Sequence, residues 1–182
     1  MITRHFQKGD AASHALYSPC ETYRYKLMRL WDRGLQRVAF VLLNPSTATE
    51  RHNDPTVERC ERRARALGFG AFVVVNLFAL RATNPQRLRA HANPVGAKND
   101  SHIAAACHWA DICVAGWGNH GAYRQRGPAI AHMLARLDVP TYHLGLNQSG
   151  HPVHPLYVPY ATQPSPWSHD ARATLGRQNT PC

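Results

Sequence analysis

Lysine is nearly absent from this chain: Lys8, Lys26 and Lys98 are the only ones in 182 residues. Acidic residues are also scarce, with 11 Asp and Glu against 21 Lys and Arg, so arginine supplies almost all of a formal net charge of +10. No apolar run approaches the roughly 20 residues that a membrane span requires. The opening Met1-Ile2-Thr3-Arg4-His5 lacks the apolar stretch of a secretory leader. A cytoplasmic protein with no membrane attachment is expected. The cysteines (Cys20, Cys60, Cys107, Cys113 and Cys182) form no C-x-x-C pair, which indicates neither a zinc site nor a disulfide framework. The Gly-x-x-x-x-Gly-Lys frame of a P-loop is missing as well. No cofactor and no metal are expected.

The arginines carry the first positive signal. A guanidinium presents a planar fork that suits phosphate bidentately. This points to nucleic acid, DNA more than RNA, or a nucleotide as partner of a monomeric protein. The competing possibility is a solvated surface in an arginine-rich proteome.

Two stretches share one plan. Val38-Ala39-Phe40-Val41-Leu42-Leu43 breaks off at Asn44-Pro45-Ser46-Thr47, and Phe72-Val73-Val74-Val75 breaks off at Asn76-Leu77-Phe78-Ala79-Leu80-Arg81. Apolar runs without polar alternation predict strands covered on both faces, as in a parallel sheet flanked by helices. Ligands of such sheets bind beyond the carboxyl ends of the strands. Two asparagines there can face one pocket, each amide both donating and accepting.

The rest of the chain fits that scheme. Residues 1–20 show no clear period and predict an arm, 21–160 a single domain, and the polar 161–182 a flexible tail. Residues 21–31 predict an edge strand with a basic face. Asp54-Pro55 predicts a capped helix start, with Val57, Cys60, Ala64 and Leu67 inward and Arg59, Arg62, Arg63 and Arg65 outward. Shorter helices are predicted from Pro85, from about Ser101 to Trp109, and from Pro128 to Leu137. Further strands are predicted at 111–118 and 141–144. The order β-α-β-α-β-α-β predicts an α/β fold, a three-layer αβα sandwich with a mostly parallel central sheet.

Each candidate group has a structural alternative. Asn44 can orient a water through its carbonyl oxygen or bond its own loop. Ser46 and Thr47 can bind phosphate or make a turn. Asp54 can support a water or simply cap its helix. Asn76 can read the edge of a base, where an unpaired buried amide would penalise the wrong partner. Arg81 can contact phosphate. Trp117, between Gly116 and Gly118, can stack on a base or cover the core. His154 stands three residues after His151, but no carboxylate or cysteine nearby in sequence completes a metal site.

These motifs together resemble a family. L-N-P-S-T-A (43–48), D-P-T (54–56), N-L-F-A-L-R-A-T (76–83), W-G (117–118) and H-P-L-Y (154–157) look like an uncharacterised bacterial and phage domain of unknown function. The likeness covers about residues 23–157 and implies no activity. More distantly, the order resembles the uracil-DNA glycosylase superfamily. The segment ending Asn44-Pro45-Ser46 looks like its mismatch-specific G-I-N-P-G loop, whose asparagine positions the attacking water. The segment from Asn76 to Arg81 resembles the T-N-V-V-K-C-R-P-P-x-N-R segment. His154-Pro155 resembles the H-P-S loop, whose histidine stabilises the leaving base. Ser46 in place of glycine and Leu156-Tyr157 after His-Pro depart from those patterns, and the cysteines do not match iron–sulfur ligands.

The expectation is a nucleic-acid base N-glycosidase with Asn44, Asp54 and His154 as catalytic residues, the resemblance implying the roles of Asn44 and His154 and the position of Asp54 near the first loop suggesting the third. Pro45, Ser46, Thr47, Asn76, Phe78, Arg81, Trp117 and Gly118 then contact substrate. A binding module without chemistry and a hydrolase of free modified nucleotides are the alternatives.

Overall fold

Apolar strands form the centre of the sheet and more polar strands its margins. The structure, a computed structural model, describes residues 1–167. In chain order it runs β1 (Ile2–Lys8), β2 (Ala11–Tyr17), β3 (Arg24–Leu30), β4 (Arg37–Leu42), α1 (Pro55–Ala66), β5 (Ala71–Asn76), α2 (Pro85–Ala90), α3 (Asn99–Trp109), β6 (Ile112–Gly116), α4 (Arg126–Arg136), β7 (Thr141–His143) and β8 (Ser165–Pro166). The eight strands make one mixed sheet in the order β1-β2-β3-β5-β4-β6-β7-β8. Four adjacent strands, β5, β4, β6 and β7, are parallel.

Helices lie on both faces of that core, which is why β4 and β5 are buried almost throughout. On one face Val57, Cys60 and Ala64 of α1 pack with Phe40, Leu42, Phe72 and Val74. On the other, Ile103 and Cys107 of α3 and Ile130 and Leu134 of α4 pack with Val41, Val75 and Ala115. Phe40 and Phe72 are 1% exposed or less, and full burial of each contributes roughly 1.5–3 kcal/mol. Helix α1 starts where its sequence indicates: Asp54 Oδ1 accepts from Val57 N at 2.9 Å, with Pro55 in the first turn.

Four expectations are corrected. The sheet is not mostly parallel, because four of its seven pairings are antiparallel. Residues 1–20 are not an arm: β1 and β2 form a hairpin on the sheet. Strand β1 has no buried face, so it carries no apolar alternation to detect. Strand β3 is not at the edge, since β2 and β5 flank it. Finally, part of the expected tail is built into the fold. Arg63 of α1 is 1% exposed and donates to the carbonyls of Pro159 at 2.8 Å and Thr162 at 2.6 Å, while β8 pairs with β7. Residues 168–182 lie outside the described part.

A bulge is the reason β3 misleads. Ser13, Ala15 and Tyr17 stand opposite Arg29, Leu27 and Arg24, with one extra residue in β3 before the last pair. Successive side chains alternate faces. The extra residue therefore brings Arg24 and Arg29, five positions apart, to the α1 face together.

Candidate functional site

The parallel register sets Leu42, Asn76 and Gly116 side by side at the carboxyl edge. Alternation from Phe72 and Val74 puts Asn76 on the α1 face of the sheet. Asn76 is 3% exposed. Its carbonyl accepts from Asn99 Nδ2 at 2.8 Å, and its side-chain amide makes no hydrogen bond among the described residues.

The chain returns over this edge at His154. Gly116 makes the return possible: a Cβ there would stand 2.8 Å from Pro155 Cδ. Gly118 has φ +66°, a conformation that favours glycine, and a Cβ on it would lie 3.8 Å from His154 Cβ. His154 Nδ1 accepts from Leu156 N at 3.3 Å, so the neutral ring carries its proton on Nε2. Burial pulls His154 down to about 4, and the nearby charge of Asp54 only partly opposes this. The imidazole is therefore a neutral hydrogen-bond donor at physiological pH.

Asp54 is 8% exposed and already engaged. Besides capping α1, it accepts from Ala48 N at 3.3 Å. The loop that it closes, residues 44–54, is fastened from below by β3. Arg29 donates to Ser13 Oγ (2.6 Å), Met28 O (3.1 Å), Thr49 O (2.7 Å) and Asn53 Oδ1 (3.0 Å). Arg24 donates to Ala48 O at 2.5 Å. Burial pulls the Arg24 guanidinium down to about 10 against the opposing field of Asp54, and its Nε has no partner among the described residues.

Asn44 joins the two strand-end loops. Its Nδ2 donates to Ala82 O at 2.7 Å and Pro45 O at 3.0 Å, while Oδ1 accepts nothing among the described residues. Ala82 borders a cleft of about 460 Å³ lined by Ser46, Thr47 and Arg81, with Thr22, Thr83, Arg87 and His91. Glu21, also at its rim, is paired with Arg4 at 2.5 Å. The Arg81 guanidinium lies 5.4 Å from the centre of the Tyr17 ring, and its Nε is buried without a partner among the described residues.

The expected site residues thus fall into two neighbourhoods. Ser46, Thr47 and Arg81 line the cleft, with Asn44 tied to its border. Asp54, Asn76, Gly118 and His154 belong to the strand edge and are not part of the cleft lining. Pro45 is buried beneath the first loop, its carbonyl accepting from Ala82 N at 2.9 Å. Phe78 and Trp117 are buried in the α3–α4 core, Trp117 against the Trp167 ring at 5.4 Å. The arginines of α1 are occupied too: Arg62 pairs with Glu58 (2.7 Å), Arg65 with Asp10 (2.8 Å), and Arg59 donates to Val158 O (3.1 Å).

Sequence reasoning missed Arg24 and Arg29 as supports of the loop, and Thr22, Thr83, Arg87 and His91 as cleft residues. Two arginines in a strand whose other residues, apart from Lys26, are apolar or aromatic were the one signal that could have found the supports. Among the described residues, no group of three or more His, Cys, Asp or Glu side chains comes together to hold a metal. No described helix is long and apolar enough to cross a membrane.

Residues 24–156 match a family described as "Protein of unknown function (DUF1643)". The chain belongs to this family. The family match begins at Arg24 and runs through Asn44, Asp54, Asn76 and Gly116 to the turn after His154. It leaves out the β1–β2 hairpin and β8. No curated protein and no solved structure matches the chain.

Proposed function

We propose that the protein is a nucleic-acid base N-glycosidase, with its strand edge used in the manner of uracil-DNA glycosylases. The observation that carries this reading is the neutral, Nε2-protonated His154 set over Gly118 within the field of the Asp54 carboxylate. A departing base leaves as an anion, and a preorganised neutral donor in a water-poor site stabilises that charge. The target base is flipped out of the stack, and Asn76, with its amide unspent, reads the base edge. Asn44 Oδ1 orients the water. The water oxygen bonds to C1′ as the bond from C1′ to the base nitrogen breaks, and the water proton passes to solvent or the released base. Asp54 acts as a fixed negative charge that favours the cationic sugar, because its oxygens already accept two backbone N–H groups.

The cleft holds the flanking backbone through Arg81, Arg87 and the hydroxyls of Ser46 and Thr47. Tyr157, 78% exposed with its ring 6.0 Å from that of His154, offers a flat face to a neighbouring base. A second reading, a nucleic-acid or nucleotide binding module without chemistry, draws on the engagement of Asp54 in capping and of the Asn44 donor in its loop. Hydrolysis of free modified nucleotides is a variant of the first reading.

The test is incubation with single- and double-stranded oligonucleotides, and with free nucleotides, carrying uracil, hypoxanthine, xanthine and modified cytosines. Released base is detected by mass spectrometry. Release that disappears in Asn44→Ala while binding persists is expected. Salt-sensitive binding with no release from any substrate establishes the binding module instead.

A further inference from the structure

On the face of the sheet opposite His154, α3 leaves a gap over β2 and β3. His14 stands beside Met28, and Met28 beside Val73. This row floors a cavity of about 250 Å³. Ala105, Ala106 and Trp109 of α3 wall it, and Lys26 and His102 complete the lining. Every titratable group in that lining is a nitrogen base, and no carboxylate is among them.

The cavity lacks a negative partner. Burial lowers Lys26 with no anion to offset it. His14 is pulled down to about 4, first by burial and then by the charges of Lys26, His5 and Arg29. His102 is lowered by burial, Lys26 and Lys98. Among the described residues the His102 Nε2 is also buried without a hydrogen-bond partner, a state that costs free energy in a finished core. Trp109, Met28, Val73 and Ala106 supply the apolar walls. The volume lies just below the roughly 300–1,000 Å³ of sites for drug-sized molecules, which limits an occupant to about one ring.

We propose that this cavity is a second ligand site, which takes a small aromatic carboxylate with its charge on Lys26 and His102 and its ring against Met28, Val73 and Trp109. The carboxylate supplies the missing negative charge and the acceptor for His102, and the ring replaces water on apolar walls. The site is on the other face from Asp54 and His154. It stands whether or not the chain cleaves N-glycosidic bonds.

Calorimetric titration of the full chain with benzoate and with benzamide tests this. Benzoate should bind saturably below about 1 mM, within reach of a single-ring fragment. Benzamide has the same shape without the charge and should bind about tenfold more weakly or worse. Lys26→Met keeps the apolar stem and should weaken benzoate by a similar factor. Ala105→Leu adds bulk at an exposed position of the cavity lining while leaving its charges in place, and should weaken benzoate about tenfold or more even if the Lys26 variant is poorly folded. The proposal is overturned by no benzoate binding to the native chain, by equal affinity for benzamide, or by unchanged benzoate binding in Ala105→Leu.

Discussion

Gly116 and Pro155 pack so closely that no side chain fits between them. A Cβ on Gly116 would stand 2.8 Å from Pro155 Cδ and 3.2 Å from Leu42 Cδ2. Neither neighbour yields cheaply, since one is a ring fixed to its backbone and the other is a core leucine 2% exposed. This contact lays the His154 turn against the carboxyl edge, within the field of Asp54.

Gly116→Ala should therefore cost about 1–3 kcal/mol through overpacking, measured by urea unfolding. Under the glycosidase reading it should also remove base release at concentrations where the protein remains folded. Native rates in a folded Gly116→Ala would show that the seating of the turn does not matter.

The two buried arginines of β3 should differ sharply on replacement. Arg29 makes four hydrogen bonds, two of them to the 44–54 loop. Arg24 makes one, and the Nε of each of the two arginines is buried without a partner among the described residues. Removing a buried charge relieves its desolvation, and this offsets part of what its bonds contribute. With four bonds the loss wins, so Arg29→Met should cost about 3 kcal/mol or more; with one the terms nearly cancel, so Arg24→Met should stay within about 1 kcal/mol. Equal costs in paired urea titrations would refute this ordering.

Stability should fall on mild acidification. Above pH 6.5 His154 is neutral in both folded and unfolded chains, and its contribution is complete. As pH drops from 6.5 toward about 4, the unfolded chain takes up a proton that the folded one resists. Stability then declines by about 1.4 kcal/mol per pH unit for that group, and the loss levels off below the folded pKa. His14 acts in the same direction over the same window. His154→Asn retains an acceptor for Leu156 N but cannot titrate. It should flatten the slope of unfolding free energy against pH by about one proton, and an unchanged slope would contradict this.

Much of the core was legible. Val38 to Leu42 and Phe72 to Val75 showed continuous apolar character because both faces are covered; a strand with one face in water would have alternated. Asp54-Pro55 marked a helix start because cap and first-turn chemistry are local. The hairpin was not legible: Ile2–Lys8 hides neither face, and its place depends on pairing with β2. Nor was the sharing of one face by Arg24 and Arg29, because a bulge breaks the alternation on which sequence reading relies.

The candidate site divides along the same line. Asn44, Asn76 and His154 could be singled out because each ends an apolar run or opens a proline turn. Their grouping could not. Asp54 and His154 are a hundred residues apart in sequence, and only the parallel register and the missing side chain at Gly116 bring the His154 turn to them.

The sequence by itself determined the buried central strands and the start of α1, because each depends on residues within one turn or one strand, and the excess of positive charge, because that follows from composition alone. Only the tertiary structure decided which arginines are buried, that Phe78 and Trp117 belong to the core, and that the site residues divide between a strand edge and a cleft. Those outcomes depend on strand order, register and one bulge. They arise from contacts between segments far apart in the chain, which no local pattern of residues encodes.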